Sequence, residues 1–96
     1  MLIKPGVDIS RLTRPTRRAL GPCDAFYFTR DFELVITSTY EGTHSPGSLH
    51  YANQAFDTRL PDPYPADFIP KLADRLGPNF DVVEEGNHIH IEYDPK

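Results

Sequence analysis

His50 and Asp57, seven residues apart, and a distant His88-Ile89-His90 are the residues of this 96-residue chain best suited to chemistry. Two imidazoles and one carboxylate leave one position of a tetrahedral zinc ion open for water, which is how catalytic zinc sites are built. The stretches that carry them are Ser48 to Asp57 and Glu84 to Tyr93. Histidines at i and i+2 on a strand point to one face and address one cleft. The His50–Asp57 spacing also fits one face of a helix, but Asn53 and the β-type residues after it favour a strand. The fourth histidine, His44, lies six residues before His50, so all four fall in or beside the two stretches.

The elements that must position these groups follow from periodicity and punctuation. Residues 1–13 read as extended, with a turn at Pro5-Gly6. Thr13-Arg14-Pro15 reads as a helix entry, a capping threonine ahead of a first-turn proline. A helix from about Pro15 to Phe28 follows, burying Leu20, Ala25 and Phe28, with a break or kink expected at Gly21-Pro22 because proline removes a ladder bond. Glu33 to Tyr40 is the strongest strand, dense in Val, Ile and Thr. Residues 41–47 form a polar loop.

Ala55 to Arg59 reads as a short strand with Ala55, Asp57 and Arg59 on one face and Phe56 and Thr58 on the other. The prolines at 61, 63 and 65 impose a loop. Phe68, Ile69, Leu72, Ala73 and Leu76 recur at helical spacing over about Ala66 to Leu76, with Pro70 in the first turn and Gly77-Pro78 as the stop. Phe80 to Glu84 and His88 to Tyr93 pair as a hairpin through a turn at residues 85–87. Alternation turns Ile89 and Ile91 toward the helices and His88, His90 and Glu92 to the other side.

Composition bounds the rest. The length suits one domain, 1–96, with a lean core that a bound metal would help to stabilise. The net charge of −4 argues against general nucleic-acid binding, which needs a basic surface. Arg11, Arg14, Arg17 and Arg18 read as a solvated helix face rather than an anion site. Cys23 is the one cysteine, so neither an internal disulfide nor a cysteine-rich zinc site is available, and it reads as a small packing residue. No window approaches the roughly 18 apolar residues of a membrane helix. No signal peptide is apparent, which leads us to expect a chain made in the cytoplasm.

Ser48-Leu49-His50-Tyr51, followed by Ala55 and Asp57, resembles the Ser-x-His-x-x-Gly-x-Ala-x-Asp motif of the zinc D-Ala-D-Ala peptidases, which share their fold with the hedgehog signalling domain. His88-Ile89-His90 is similar to that family's second motif, and Val35-Ile36-Thr37-Ser38 resembles the strand ahead of the first. The resemblance runs from about Glu33 to Tyr93, and the overall form looks like small phage and prophage members. It implies an α+β fold: a small antiparallel sheet with helices packed on one face and a zinc cleft on the other. It implies Zn2+ held by His50, Asp57 and His90. Glu84 would be the general base, with Glu85 as fallback, and His88 would polarise the substrate carbonyl. His44, Ser48 and Arg59 would be supporting or substrate-binding residues.

The activity implied is hydrolysis of a peptide bond in peptidoglycan stem peptides or crossbridges, reached through a phage lysis system or a virion. The alternative is a catalytically inactive zinc-containing binding or structural module of the same fold. Three positions depart from the pattern. Asn53 replaces the motif glycine, Asn87 stands where many bacterial members have a carboxylate base, and Thr39-Tyr40-Glu41 lacks the arginine that binds a substrate carboxylate. Arg59 is the candidate substitute for that arginine. Without one, the resemblance implies an endopeptidase rather than a carboxypeptidase.

Overall fold

The computed structural model describes residues 1–40 and 53–95. They form a small α+β protein with one five-stranded sheet. Strand β1 is Leu2–Ile3, followed by helices α1 (Arg14–Arg18) and α2 (Leu20–Thr29). Strands β2 (Val35–Ser38) and β3 (Ala55–Arg59) come next, then α3 (Phe68–Leu76), β4 (Phe80–Glu84) and β5 (His88–Tyr93). The order across the sheet is β1-β2-β3-β5-β4.

The sheet is mixed, not antiparallel throughout as expected. β1 runs parallel to β2, with the Leu2 N–H donating to the Leu34 carbonyl (2.8 Å) and the Lys4 N–H to the Ile36 carbonyl (2.9 Å). Parallel neighbours need a long crossover, and the segment holding α1 and α2 supplies it. The N-terminal ammonium fastens the edge to Asp24 (3.2 Å) and Glu33 (3.3 Å). The other pairs are antiparallel.

The expected break in the N-terminal helix exists but falls at Ala19, ahead of Gly21-Pro22. Pro22 has no N–H to give the Arg18 carbonyl, so the α1 ladder ends there. Restarted at Leu20, the helix carries Pro22 in its first turn, where the missing donor costs little. This sets a different phase from the one expected. Leu20, Cys23, Phe26 and Tyr27 are buried, whereas Ala25 and Phe28 are exposed. Cys23 is a packing residue, as expected, and burial pushes its thiol up to about 12.

α3 begins at Phe68, with Pro70 in its first turn, and stops at Gly77, whose φ of 93° lies where side chains are strained. Its N-cap residue, Asp67, makes no capping bond and instead accepts two hydrogen bonds from Arg30, from Nη1 at 2.9 Å and Nη2 at 3.2 Å. The core lies between the helices and one sheet face. Tyr27, Leu34, Ile36, Phe56, Phe68, Leu72, Ile89 and Ile91 are fully buried there. Phe68 sits at the centre, edge-on to Phe26 (5.2 Å between centroids), Tyr27 (5.0 Å) and Phe32 (6.0 Å).

The other sheet face carries the polar groups. Register pairs Asp57 with His90, Arg59 with His88 and Ala55 with Glu92. Cross-strand partners share a face, so these six side chains stand together, opposite Phe56, Thr58, Ile89 and Ile91. Among the described residues no helix is long and apolar enough to cross a membrane.

Candidate functional site

Asp57 and His90 are the centre of the polar face. Each sits mid-strand, in β3 and β5, and both are buried. β3 is held in place from behind. The Tyr27 hydroxyl lies 2.9 Å from the Thr58 hydroxyl and donates to the Arg59 carbonyl at 3.3 Å. Thr58 faces the core, so this contact fixes the strand that aims Asp57 the other way.

The His90 Nδ1 lies 3.1 Å from Asp57 Oδ1, and its Nε2 lies 2.7 Å from Glu92 Oε1. The Asp57 carboxylate is the main cause that raises His90 to about 9, with Glu92 adding to it and burial opposing it. The chemistry of this donor set decides what it accommodates. A neutral imidazole that gives its one proton to Glu92 turns a lone pair toward a carboxylate oxygen. Two acceptors at that separation need a proton or a cation between them. The raised pKa of His90 supplies the proton, with both ring nitrogens donating to carboxylates. A metal ion in the place of the Nδ1 proton would meet the same two donor atoms, so the pair could serve as two ligands. The third expected ligand, His50, lies outside the described residues, as do His44 and Ser48.

His88 is the neighbour of this pair. Its Nδ1 is 2.6 Å from Asn87 Oδ1, and its Nε2 is 3.1 Å from Glu85 Oε1 and 3.6 Å from Asp57 Oδ2. Asp57 thus faces His90 with one oxygen and His88 with the other. Donor atoms of Asp57, Glu85 and His88 lie within 4.8 Å of one another, a group that could itself hold a metal ion.

The two glutamates of the hairpin exchange positions relative to expectation. Glu84 pairs with Ile89, which places it on the helix side of the sheet, and its carboxylate accepts from the Gly86 N–H at 2.9 Å. Its partner is thus the turn backbone, and it is Glu85, the expected fallback, whose Oε1 comes within 3.1 Å of His88 Nε2. The cause is the turn. Glu85 N–H donates to the His88 carbonyl (2.9 Å), leaving Gly86 and Asn87 as a two-residue connection with Gly86 at φ 82°. The expected three-residue turn would have put Glu84 opposite His88. One residue of turn length moves a strand's side chains to the other face.

Asn53, in place of the motif glycine, has φ 60°, the left-handed conformation that asparagine tolerates. Its carbonyl accepts from the Thr13 N–H at 2.9 Å, tying the start of β3 to the entry of α1. A cleft of about 340 Å³ opens beside Asp57 and His88, lined also by Lys4, Thr37, Ser38, Arg59 and Asn87. Register slips by one residue between Ile36 and Ser38, a bulge that lets both Thr37 and Ser38 reach the cleft.

Lys4, Ser38 and Glu92 are site residues that the sequence did not single out. Glu92 was legible by alternation, two residues beyond His90. Lys4 was not, because only the parallel pairing of β1 brings it there. Arg11, Arg14, Arg17 and Arg18 are exposed, as expected of a solvated face, and are not among the described residues that line the cleft; Arg11 stacks over Tyr40 at 4.9 Å. No family model matches the chain, and no curated protein or solved structure matches it either.

Proposed function

We propose that this chain is a zinc-dependent peptidase of the hedgehog/D-Ala-D-Ala-peptidase fold, hydrolysing a peptide bond in peptidoglycan stem peptides or crossbridges. The observation that carries the reading is the buried Asp57–His90 pair, 3.1 Å apart, with the His88–Glu85 pair beside it on the same sheet face. Asp57 and His90 would hold the ion, with His50 as the third ligand that the resemblance implies. Bound zinc polarises the scissile carbonyl and brings water to a pKa near 7.

The chain's own groups supply the remaining chemistry. Glu85 takes the proton of the attacking water as its oxygen adds to the carbonyl carbon, and returns it to the amine nitrogen as the C–N bond breaks. His88 donates Nδ1–H to Asn87 Oδ1, which directs Nε2 into the cleft; the imidazolium form carries a second N–H there, which would stabilise the oxygen on which negative charge develops. Lys4 and Arg59 border the same cleft and give it positive charge, which suits a peptide that carries a carboxylate. Arg59 is the residue we take as substitute for the arginine that the resemblance expects after β2. A phage lysis system or virion is the delivery route that fits such a substrate.

The test is a digest of purified muropeptides, with zinc and with chelator, read by mass spectrometry. The reading predicts zinc-dependent hydrolysis of a stem or crossbridge bond. Zinc uptake with no cleavage of any muropeptide would favour a zinc-containing binding module, the reading that Asn87 supports, since an amide cannot act as a base.

A further inference from the structure

Glu92 has no part in the hydrolysis described above, yet it makes a close contact to a buried member of the site. Its Oε1 is 2.7 Å from His90 Nε2. We propose that Glu92 is the positioning residue of the metal centre: it accepts the hydrogen bond from His90 Nε2–H and so keeps the Nδ1 lone pair aimed at the ion beside Asp57. The inference rests on the zinc reading and extends it to a residue outside the metal's own shell.

Three observations support it. Period-two alternation on β5 puts His90 and Glu92 on one face, with their side chains adjacent. Across the strand Glu92 faces Ala55, a small side chain that leaves it room to lean back toward the ring. From β4 and the chain end, Asp81 and Asp94 bring carboxylate oxygens within 4.8 Å of Glu92, which favours a donor at its oxygen. A ring anchored at Nε2 has its tautomer and its rotation fixed together. A carboxylate behind a metal-bound imidazole also raises the basicity of the ligating nitrogen, and loss of such a partner typically lowers metal affinity 10- to 100-fold.

Zinc affinity of the full chain, measured by competition with a chromophoric chelator, tests this in wild type, Glu92→Leu and Glu92→Gln. Glu92→Leu should bind zinc about 10- to 100-fold more weakly. Glu92→Gln keeps an acceptor oxygen and should recover most of that loss, which a purely structural role of the charge would not allow. Nitrogen-resolved NMR of zinc-loaded wild type supplies a readout that needs no variant: His90 must carry its proton on Nε2. The proposal is overturned if Glu92→Leu binds zinc as tightly as wild type, if a folded Glu92→Gln is as weak as Glu92→Leu, or if the His90 proton is on Nδ1. Wild type that takes up no zinc would defeat the zinc reading and this inference with it. Zinc bound equally tightly by wild type and by Glu92→Leu would defeat the inference alone.

Discussion

At the scale of single residues, the site turns on which groups share a sheet face. The alternation of His88, His90 and Glu92 against Ile89 and Ile91 was legible from the sequence, because one face of this strand is plainly apolar. So was the placement of Asp57 opposite Phe56 and Thr58. The choice between Glu84 and Glu85 was not legible, because it depends on whether the hairpin turn holds two residues or three. Gly86 at positive φ and the Glu85 N–H bond to His88 settle the register and turn Glu84 away. The expected consequence is a sharp difference between neighbours. Glu85→Gln should lower turnover of a muropeptide substrate by at least about 100-fold, the usual worth of a positioned base. Glu84→Gln should stay within a few-fold of wild type in the same assay. Equal losses in the two variants would mean that neither acts as assigned.

At the scale of elements, the polar face is aimed by the packing behind it. β3 presents Asp57 outward because Phe56 and Thr58 are held inward, and the Tyr27 hydroxyl fixes Thr58 at 2.9 Å. Burial raises the Tyr27 hydroxyl's pKa, so it remains a neutral hydrogen-bonding group. Helix α3, with Phe68 and Leu72 fully buried, closes the same core. Phe68→Ala should cost about 3–5 kcal/mol, the range for a truncated core aromatic, read as a lower urea midpoint with unchanged slope. Zinc affinity measured on the folded fraction should change far less. The strands of this core and α3 were readable from periodicity. The phase of α2 was not. A proline effect expected at Gly21-Pro22 acts one turn earlier, through the Arg18 carbonyl, and restarting the helix exchanges Ala25 and Phe28 for Phe26 and Tyr27 as its buried residues.

At the scale of the whole molecule, contacts distant in sequence hold the layers together, and these were the least legible. The parallel β1–β2 pairing joins the N-terminus to the sheet across some thirty residues, which no local pattern reports. The Arg30–Asp67 pair ties the end of α2 to the start of α3. The hydrogen bond from Arg30 holds the Asp67 carboxyl below its ordinary pKa. A carboxylate with a lowered folded pKa contributes stability above its unfolded pKa and loses it as pH falls through the folded value. Asp67→Asn should therefore be less stable than wild type at neutral pH in low salt. That gap should close on acidification through the carboxylate range and shrink at high ionic strength, because the pair is at the surface. Thermal melts across pH and salt would show it. A gap that persisted in acid would place the effect elsewhere.

The metal ion would add its own term at this scale. Binding to the folded chain alone stabilises it in proportion to the logarithm of ligand over dissociation constant, a sizeable gain for so small a core. Zinc-edge X-ray absorption on the chain, purified without a histidine tag and loaded with one equivalent, tests the central claim most directly. The account predicts a low-coordinate nitrogen and oxygen shell with imidazole scattering at about 2.0–2.1 Å, lost in Asp57→Ala and in His90→Ala. Zinc that does not stay with the protein, or a shell unchanged by both substitutions, would contradict it.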